Sequence, residues 1–180
     1  LDFEGLSQED GKDIGAIARR SSGAWTLTVT AKSGHSSGIF SANAGYGAIY
    51  ELARIIDTFR KELRDDRLTY SVGLIGGGES SQLDGDKIRI VSTGKTNIIP
   101  PVAIARGDIR AVSNEQIART QAKMRAIVAQ SLPGAKAEIT FDDDGYPPMA
   151  ATEASRGLLA KLNLINRDLG LQPMGGLDAS

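Results

Sequence analysis

Hydrophobic residues follow two different periods along the chain once a mixed, polar opening at residues 1–20 has passed. Residues 25–32 alternate apolar and polar side chains and are rich in Thr and Val, which predicts a half-buried strand. Residues 44–63 repeat apolar side chains every three or four positions, which predicts an amphipathic helix. The hydrophobic face of that helix would consist of Ile49, Leu52, Ile55, Ile56, Phe59 and Leu63.

The same two patterns recur further along the chain. The second helix is predicted to begin at an Asn114 N-cap, with Glu115 in its first turn. Three glycines at 76–78 should end the second strand. The predicted segments are strands at 68–75, 87–91, 102–112 and 136–141, and a helix from 114 to about 132.

The order of these elements predicts an α+β fold. Strand and helix follow each other as βαββαβ, with one extra short strand, which favours a ferredoxin-like sandwich over residues 22–142. Such a sandwich has one antiparallel sheet with two helices on one face. A final amphipathic helix, about 152–169, lies beyond Pro147 and Pro148 and has no place in it.

The composition excludes several classes of function. The chain has 180 residues, 41% of them apolar and 24% charged, which is ordinary for a soluble globular protein. Its formal net charge is −1, whereas nucleic acid binding needs concentrated positive charge. No apolar run is long enough to span a membrane. We therefore expect neither a nucleic acid nor a membrane as partner.

Two residue types restrict the chemistry most strongly. The chain has no cysteine, which removes disulfides, thiolate metal sites and cysteine nucleophiles. It has one histidine, His35, so a His-rich metal site cannot be built and a Ser-His-Asp triad could use only that imidazole. Taken alone, a single histidine in a loop is more often a surface residue than a functional one.

Two short motifs resemble catalytic loops but lack their context. Residues 34–38, Gly-His-Ser-Ser-Gly, match the G-x-S-x-G nucleophile elbow, yet no histidine follows His35 to complete a triad. Residues 94–96, Gly-Lys-Thr, resemble the end of a P-loop, but Arg89 stands where the leading glycine belongs. We interpret the first motif as a tight Gly/Ser turn and expect no nucleotide site at the second.

Two further segments have a simpler structural interpretation. The glycines at 76–78 could bring backbone amides to an anion, but a strand that turns sharply at its end needs glycine as well. Residues 142–145, Asp-Asp-Asp-Gly, resemble a calcium loop without its alternating spacing or its final glutamate. We interpret them as a solvated acidic turn.

Four segments, taken together and in order, resemble the motifs of one enzyme family, the dizinc exopeptidases. Residues 28–36, Thr-Val-Thr-Ala-Lys-Ser-Gly-His-Ser, are similar to its G-x-x-x-H-(A/S) strand and loop. Residues 43–49 resemble its G-x-N-A-I helix, 96–100 its N-x-(I/V)-P segment, and 107–110 its D-x-R strand. The family includes glutamate carboxypeptidase, aminoacylase and succinyl-diaminopimelate desuccinylase, and the resemblance covers nearly the whole chain.

The resemblance implies a division of the chain. In that family the βαββαβ unit is a lid, or dimerisation, domain inserted into a larger α/β catalytic domain that carries two zinc ions. We therefore expect residues 22–142 to form a lid that makes a homodimer. Residues 1–21 and 143–180 would be parts of the catalytic domain. The segment at 80–93 is longer than the resemblance leads us to expect.

The resemblance also implies roles for four residues. The family's lid histidine, by match His35, reaches across the dimer and stabilises the oxyanion in the partner's active site. By match, Asn97 helps to bind the substrate and Arg110 binds its carboxylate. Glu4 matches a zinc ligand. A guanidinium suits a carboxylate, and an imidazole donor suits the charge that develops on an attacked carbonyl.

Only one of the expected metal ligands lies in this chain, whereas a catalytic zinc needs about three. The chain opens with Leu1 rather than Met, so we expect it to be a fragment. With one metal ligand the fragment should be inactive alone, whereas the parent would be a zinc-dependent amidohydrolase or carboxypeptidase. The parent's substrate would be a small peptide or N-acyl amino acid. The sequence does not indicate a cellular compartment.

A free-standing ferredoxin-like module that binds a ligand or regulates another protein is the alternative. The flanks separate the two hypotheses. A self-sufficient module has no use for the apolar helix at 152–169 unless that helix packs into the same core as residues 22–142. An apolar stripe left out of that core favours the lid hypothesis.

Overall fold

The computed structural model describes residues 7–177, so Glu4 lies outside the described residues. In chain order the elements are β1 (Ser7–Glu9), β2 (Lys12–Ala16), β3 (Gly23–Ala31), β4 (Gly34–His35), a 3₁₀ turn (Ser36–Gly38), α1 (Ala48–Glu62), β5 (Thr69–Gly78), β6 (Ser80–Leu83), β7 (Ile90–Thr93), β8 (Ile98–Ile99), β9 (Val102–Arg110), α2 (Asn114–Val128), β10 (Ala135–Phe141), α3 (Glu153–Asp168) and β11 (Gly175–Leu177).

The main layer is a four-stranded antiparallel sheet in the order β10–β3–β9–β5. The helices α1 and α2 supply their apolar stripes to the core on one face of this sheet. The strand order and the two helices confirm the predicted ferredoxin-like sandwich. Alternate residues of the strands face away from the helices, and we call this side of the sheet the outer face.

The core lies between the inner face of the sheet and the two helices. Trp25, Leu27 and Val29 alternate along β3 and are fully buried. They belong to one cluster with apolar residues of both helices, including Phe59, whose ring meets that of Trp25 edge to face. The alternation in residues 25–32 therefore marks a strand with one buried face, as predicted.

Small residues on β9 make room for the large ones. Gly107 faces the indole ring of Trp25, and a Cβ at this position would overlap both that ring and the carbonyl oxygen of Ser71. The indole nitrogen of Trp25 donates to the carbonyl of Asp108 at 3.1 Å. A glycine at 107 thus lets the largest side chain of the core lie flat against the sheet.

The start of α1 and the N-cap of α2 differ from the sequence prediction. The helix α1 begins at Ala48 rather than 44, because Gly45 and Gly47 adopt φ values of +71° and +77°, outside the helical region. The N-cap of α2 is Ser113, not Asn114, and its hydroxyl accepts from the amide of Gln116 at 3.1 Å. Adjacent Ser and Asn are both good caps, so sequence alone did not decide between them.

The sequence predicted that the second strand stops at residue 75 and that the glycines at 76–78 follow it, whereas the structure includes these glycines in the strand. They are the last residues of β5 and pair with β9 throughout. A Cβ on Gly77 would crowd Ile49 of α1 and Ala103, and one on Gly76 would overlap Ile90 and Ser92. The glycines therefore allow close packing on both faces of the strand.

The segment at 80–93 forms a β-hairpin that the sequence indicated only in part. Its strands β6 and β7 pair with each other, and β7 occupies Ile90–Thr93 rather than the predicted 87–91. Gly76 pairs with Ile104, a residue on the outer face of the sheet. Ile90 and Ser92 of the hairpin contact Gly76 on that face, so the hairpin folds back over it.

The two flanks form a separate small layer. The strands β1, β2 and β11 make a three-stranded sheet, against which Leu159 of α3 packs at Gly15 and Gly176. Helix α3 has no buried residue, and none of its residues belongs to the core of the main layer. Its exposed apolar residues include Leu158, Leu162, Leu164 and Ile165, and the exposed Leu169 follows at the C-cap. Among the described residues, no helix combines the length and hydropathy that crossing a membrane requires.

Candidate functional site

His35 and Asn97 lie together at one end of the main sheet. His35 belongs to β4 and pairs with Ile98 of β8, and the amide of Ser36 donates to the carbonyl of Asn97 at 2.9 Å. Both side chains are exposed. Two strands of only two residues each thus bring together side chains that are 62 positions apart in sequence.

The imidazole of His35 is oriented by the turn that follows it. Its Nδ1 accepts from the amide of Ser37 at 3.2 Å and lies 2.8 Å from the hydroxyl oxygen of the same residue. Because Nδ1 is the acceptor, the proton of the neutral ring is assigned to Nε2. Ser36 and Ser37 therefore act as a turn that presents an N–H donor, and the G-x-S-x-G match has this structural role.

Arg110 lies at the other end of the same sheet. It is the last residue of β9 and pairs with Thr69, the first residue of β5. The guanidinium is exposed and donates from Nε to Asp108 at 3.2 Å. Nearby, Arg20 donates to the hydroxyl of Thr69 at 3.0 Å, so two guanidinium groups meet this strand end.

The structure brings together two of the three predicted site residues that it describes. Arg110 is the last of the nine residues of β9, so the strand alone puts about 26 Å between Arg110 and the His35–Asn97 end. One substrate of small-peptide size cannot touch both ends of this sheet within one chain. Glu4 cannot be placed, because it is outside the described residues.

A cleft of about 660 Å³ adjoins the His35–Asn97 loop. Ser36 and Thr96, the sequence neighbours of the two site residues, both line it, as do the start of α1 and the glycine end of β5. The Gly-Lys-Thr motif at 94–96 lies in its wall and leads into β8 rather than a helix, which agrees with the expectation that it is not a P-loop. Periodicity gave no signal for this cleft, because its lining combines short pieces of several elements with loops between them.

Asp142 is part of an ion-pair cluster on the outer face. Its carboxylate accepts from Arg106 at 2.6 Å and from Lys87 at 3.0 Å, and the Asp142 side chain is only 7% exposed. The Arg106 guanidinium holds the pKa of this carboxyl below its ordinary value. The interpretation of 142–145 as a solvated turn is therefore wrong at its first residue, which fixes the hairpin tip to the sheet.

Within residues 7–177 no group of three His, Asp or Glu side chains is arranged to hold a metal ion. The acidic side chains described above are each engaged with a guanidinium or ammonium group instead, as Asp108 is with Arg110. The described residues therefore do not fit a zinc centre.

The βαββαβ layer carries an exposed His–Asn loop at one end, and its edge strand β5 has one paired neighbour, β9, among the described strands. Residues 17–136 match the family model described as the peptidase dimerisation domain, and the chain belongs to that family. The predicted resemblance is thereby confirmed at the level of the domain. No curated protein is similar enough in sequence to count as a relative.

Solved structures share the fold. A tripeptidase from Staphylococcus aureus superposes with a TM-score of 0.65 and 19% identity, covering 92% of this chain and 39% of that one. Aminopeptidase PepT from Bacillus cereus gives 0.63 and 17%, covering 96% and 42%. A hydantoinase/carbamoylase-family amidase from Burkholderia vietnamiensis gives 0.62 and 14%, covering 92% and 37%. This chain spans about two fifths of the length of these proteins.

Proposed function

We propose that residues 22–142 are the homodimerisation and substrate-lid domain of a zinc-dependent peptidase or amidohydrolase. One observation carries the proposal. The predicted substrate-contacting residues lie at opposite ends of one sheet, beside an edge strand that is free to pair with a second copy. A dimer turns this separation into a single site.

The edge strand β5 is suited to pairing. From Thr69 to Gly78 it carries no charged residue. Among the described strands, β9 pairs with one edge of β5 and none pairs with its other edge. The opposite edge, β10, carries Lys136 and Glu138, which disfavour edge-to-edge association. Within β5 the apolar side chains of Val72 and Ile75 are 37% and 64% exposed. A second copy would cover them.

Two-fold symmetry then relates the ends of the sheet. When two copies of β5 pair antiparallel, the last residues of one strand lie beside the first residues of the other. The His35–Asn97 loop adjoins the last residues of β5, and Arg110 pairs with the first. In such a dimer, His35 and Asn97 of one chain would lie near the partner's Arg110.

The chemistry of the three side chains suits hydrolysis of an amide next to a carboxylate. The Nε2–H of His35 is a donor for the oxyanion that forms when an amide carbonyl is attacked. Asn97 offers an amide to the substrate. Arg110 can hold a carboxylate, and Asp108 keeps its guanidinium oriented until the substrate replaces that contact.

The proposed zinc ions are not bound by the described residues. We place them in a catalytic domain to which residues 1–21 and 143–180 contribute, with Glu4 as the ligand from this chain. The exposed apolar stripe of α3 supports this division, because it needs a partner layer that the main core does not provide. Small peptides and N-acyl amino acids are the proposed substrates of the complete enzyme.

Sedimentation equilibrium tests the dimer. We expect this chain to be dimeric at micromolar concentration and Ile75→Asp to shift the equilibrium strongly towards monomer. Val91→Asp is the matched control, since Val91 is similarly exposed but lies on the hairpin. A wild-type chain that stays monomeric, or equal effects of the two variants, would contradict pairing through β5.

A further inference from the structure

The cleft beside His35 has an apolar wall built from aromatic and aliphatic side chains. Phe40 packs against Tyr46 and Tyr50, with ring centroids 5.2 Å and 5.6 Å apart. Phe40 holds a φ of +69°, which is uncommon for a bulky residue, while its side chain stays more than half exposed. Tyr50 is also half exposed, and Ile39, Ile49 and Ile98 continue the apolar wall.

The other lining residues include polar side chains, one of which is charged. Hydroxyls come from Ser92, Thr93 and Thr96, and Lys95 alone is charged among the described residues that line the cleft. No acidic residue lines it with Lys95. A ligand suited to these walls has an apolar, preferably aromatic, body and a hydrogen-bond acceptor at one end.

The cleft and the proposed catalytic loop share their backbone. Ser36 and Thr96 line the cleft and are adjacent to His35 and Asn97, which the bond from the Ser36 amide to the Asn97 carbonyl holds together. His35 and Asn97 do not line the cleft themselves, so a substrate whose scissile carbonyl meets His35 would reach the cleft past Ser36 and Thr96. The volume of about 660 Å³ is within the range of small-molecule sites.

We propose that this cleft is the acyl-group subsite and selects substrates with an aromatic acyl group that carries an acceptor for Lys95. The assignment rests on the proposed function, because it takes the carbonyl to lie at His35. It assigns Phe40 and Tyr50 as specificity-determining residues and Lys95 as the group that orients the acyl chain. The partner's Arg110 would hold the carboxylate at the other end of the substrate.

The test is a titration of this chain, labelled with ¹³C at isoleucine methyl groups, with 3-phenylpropionate as probe. We expect saturable shifts at Ile39, Ile49 and Ile98 with a Kd of about 1 mM, as for a fragment of this size. Tyr50→Ser should weaken binding about tenfold, because it removes an aromatic wall. Tyr146→Ser, at an exposed tyrosine outside the cleft, is the matched control.

The neutral amide 3-phenylpropanamide tests whether the charge of Lys95 contributes to binding. We expect wild-type protein to prefer the carboxylate probe several-fold, and Lys95→Gln to abolish that preference while Lys136→Gln keeps it. Absence of saturable shifts, or equal effects of Tyr50→Ser and Tyr146→Ser, would overturn the cleft as a binding site. Equal binding of both probes by the wild type would overturn the role of Lys95.

Sedimentation of the same samples separates the two proposals. A dimer that does not bind the probe contradicts the subsite and leaves the proposed function standing. If the chain is strictly monomeric and still binds the probe, the cleft is a ligand site but the two-chain active site is contradicted. The assignment of the cleft to an acyl group is then overturned as well.

Discussion

Asp142 accepts a hydrogen bond from Arg106 at 2.6 Å, although the two residues are 36 positions apart and the aspartate opens an acidic turn. Arg106 also donates to the hydroxyl of Thr26 at 2.9 Å, and Lys87 approaches the carboxylate from the hairpin tip. The contact joins β9 and β3 to the end of β10 and to the hairpin on the outer face.

Loss of this carboxylate should destabilise the domain. We expect Asp142→Asn to lower the free energy of unfolding by about 2 kcal/mol, because Arg106 is left largely buried without its counter-charge. Urea unfolding measures the change. Asp143→Asn, at an exposed neighbour, should stay within about 0.5 kcal/mol of wild type. Equal values for the two variants would show that the cluster contributes nothing to stability.

The Asp142 carboxylate should make the free energy of unfolding depend on pH. Since the pKa of Asp142 in the folded protein is lowered, first by the Arg106 hydrogen bond, the folded state favours the ionised form. Its contribution is fully present above the unfolded pKa of about 3.9 and is lost as the pH falls through the folded value. The difference in unfolding free energy between wild type and Asp142→Asn should therefore be constant near neutral pH and shrink below about pH 4. A difference that does not vary with pH would contradict this.

Gly107 should not tolerate a methyl group. An added Cβ would overlap the Trp25 ring and the Ser71 carbonyl, so we expect Gly107→Ala to cost about 3 kcal/mol or more. Gly73→Ala is the control, because its Cβ would meet only the Arg106 carbonyl at 3.9 Å, an ordinary contact. Thermal unfolding followed by Trp25 fluorescence compares the two. Similar melting temperatures would contradict the packing described for the indole.

His35 should matter for turnover and not for folding. In the complete enzyme we expect His35→Ala to lower kcat at least about 100-fold through loss of the oxyanion donor. The melting temperature should change by no more than a few degrees, because the exposed side chain contributes one cap hydrogen bond, from the Ser37 amide. Lys32→Ala, at an exposed residue three positions earlier, is the control. Unchanged turnover in His35→Ala would remove the cross-subunit role.

Much of the fold follows from local pattern. The alternation at residues 25–32 and the helical repeat at 44–63 encode which face is buried, so the βαββαβ order could be read from the chain. The glycines at 76–78 were misassigned because their reason is tertiary. They admit Ile49 on one face of β5 and the hairpin on the other.

The candidate site was predictable only in part. Motif resemblance singled out His35, Asn97 and Arg110, but two-residue strands such as β4 and β8 have no periodicity to detect. The burial of Asp142 depends on Arg106 and Lys87, which no local signal connects to it. The cleft combines loops, a helix start and glycines, and their meeting is a property of the folded chain.

The proposed two-chain site requires that the dimer places Asn97 of one chain beside the partner's Arg110. Because the chain has no cysteine, Asn97→Cys and Arg110→Cys each provide a single position for a spin label. Mixing the two singly labelled chains reports the distance between subunits. A doubly labelled chain, diluted with excess unlabelled protein, reports the distance within one subunit.

Dipolar electron paramagnetic resonance measures both distances. Three strand spacings separate β9 from the partner's β9 across the paired edges, so we predict an inter-subunit backbone separation of about 14 Å. Within one chain the separation should be about 26 Å or more. An inter-subunit distance shorter than the intra-subunit one supports the two-chain site. A longer one, or no coupling between subunits, would contradict it.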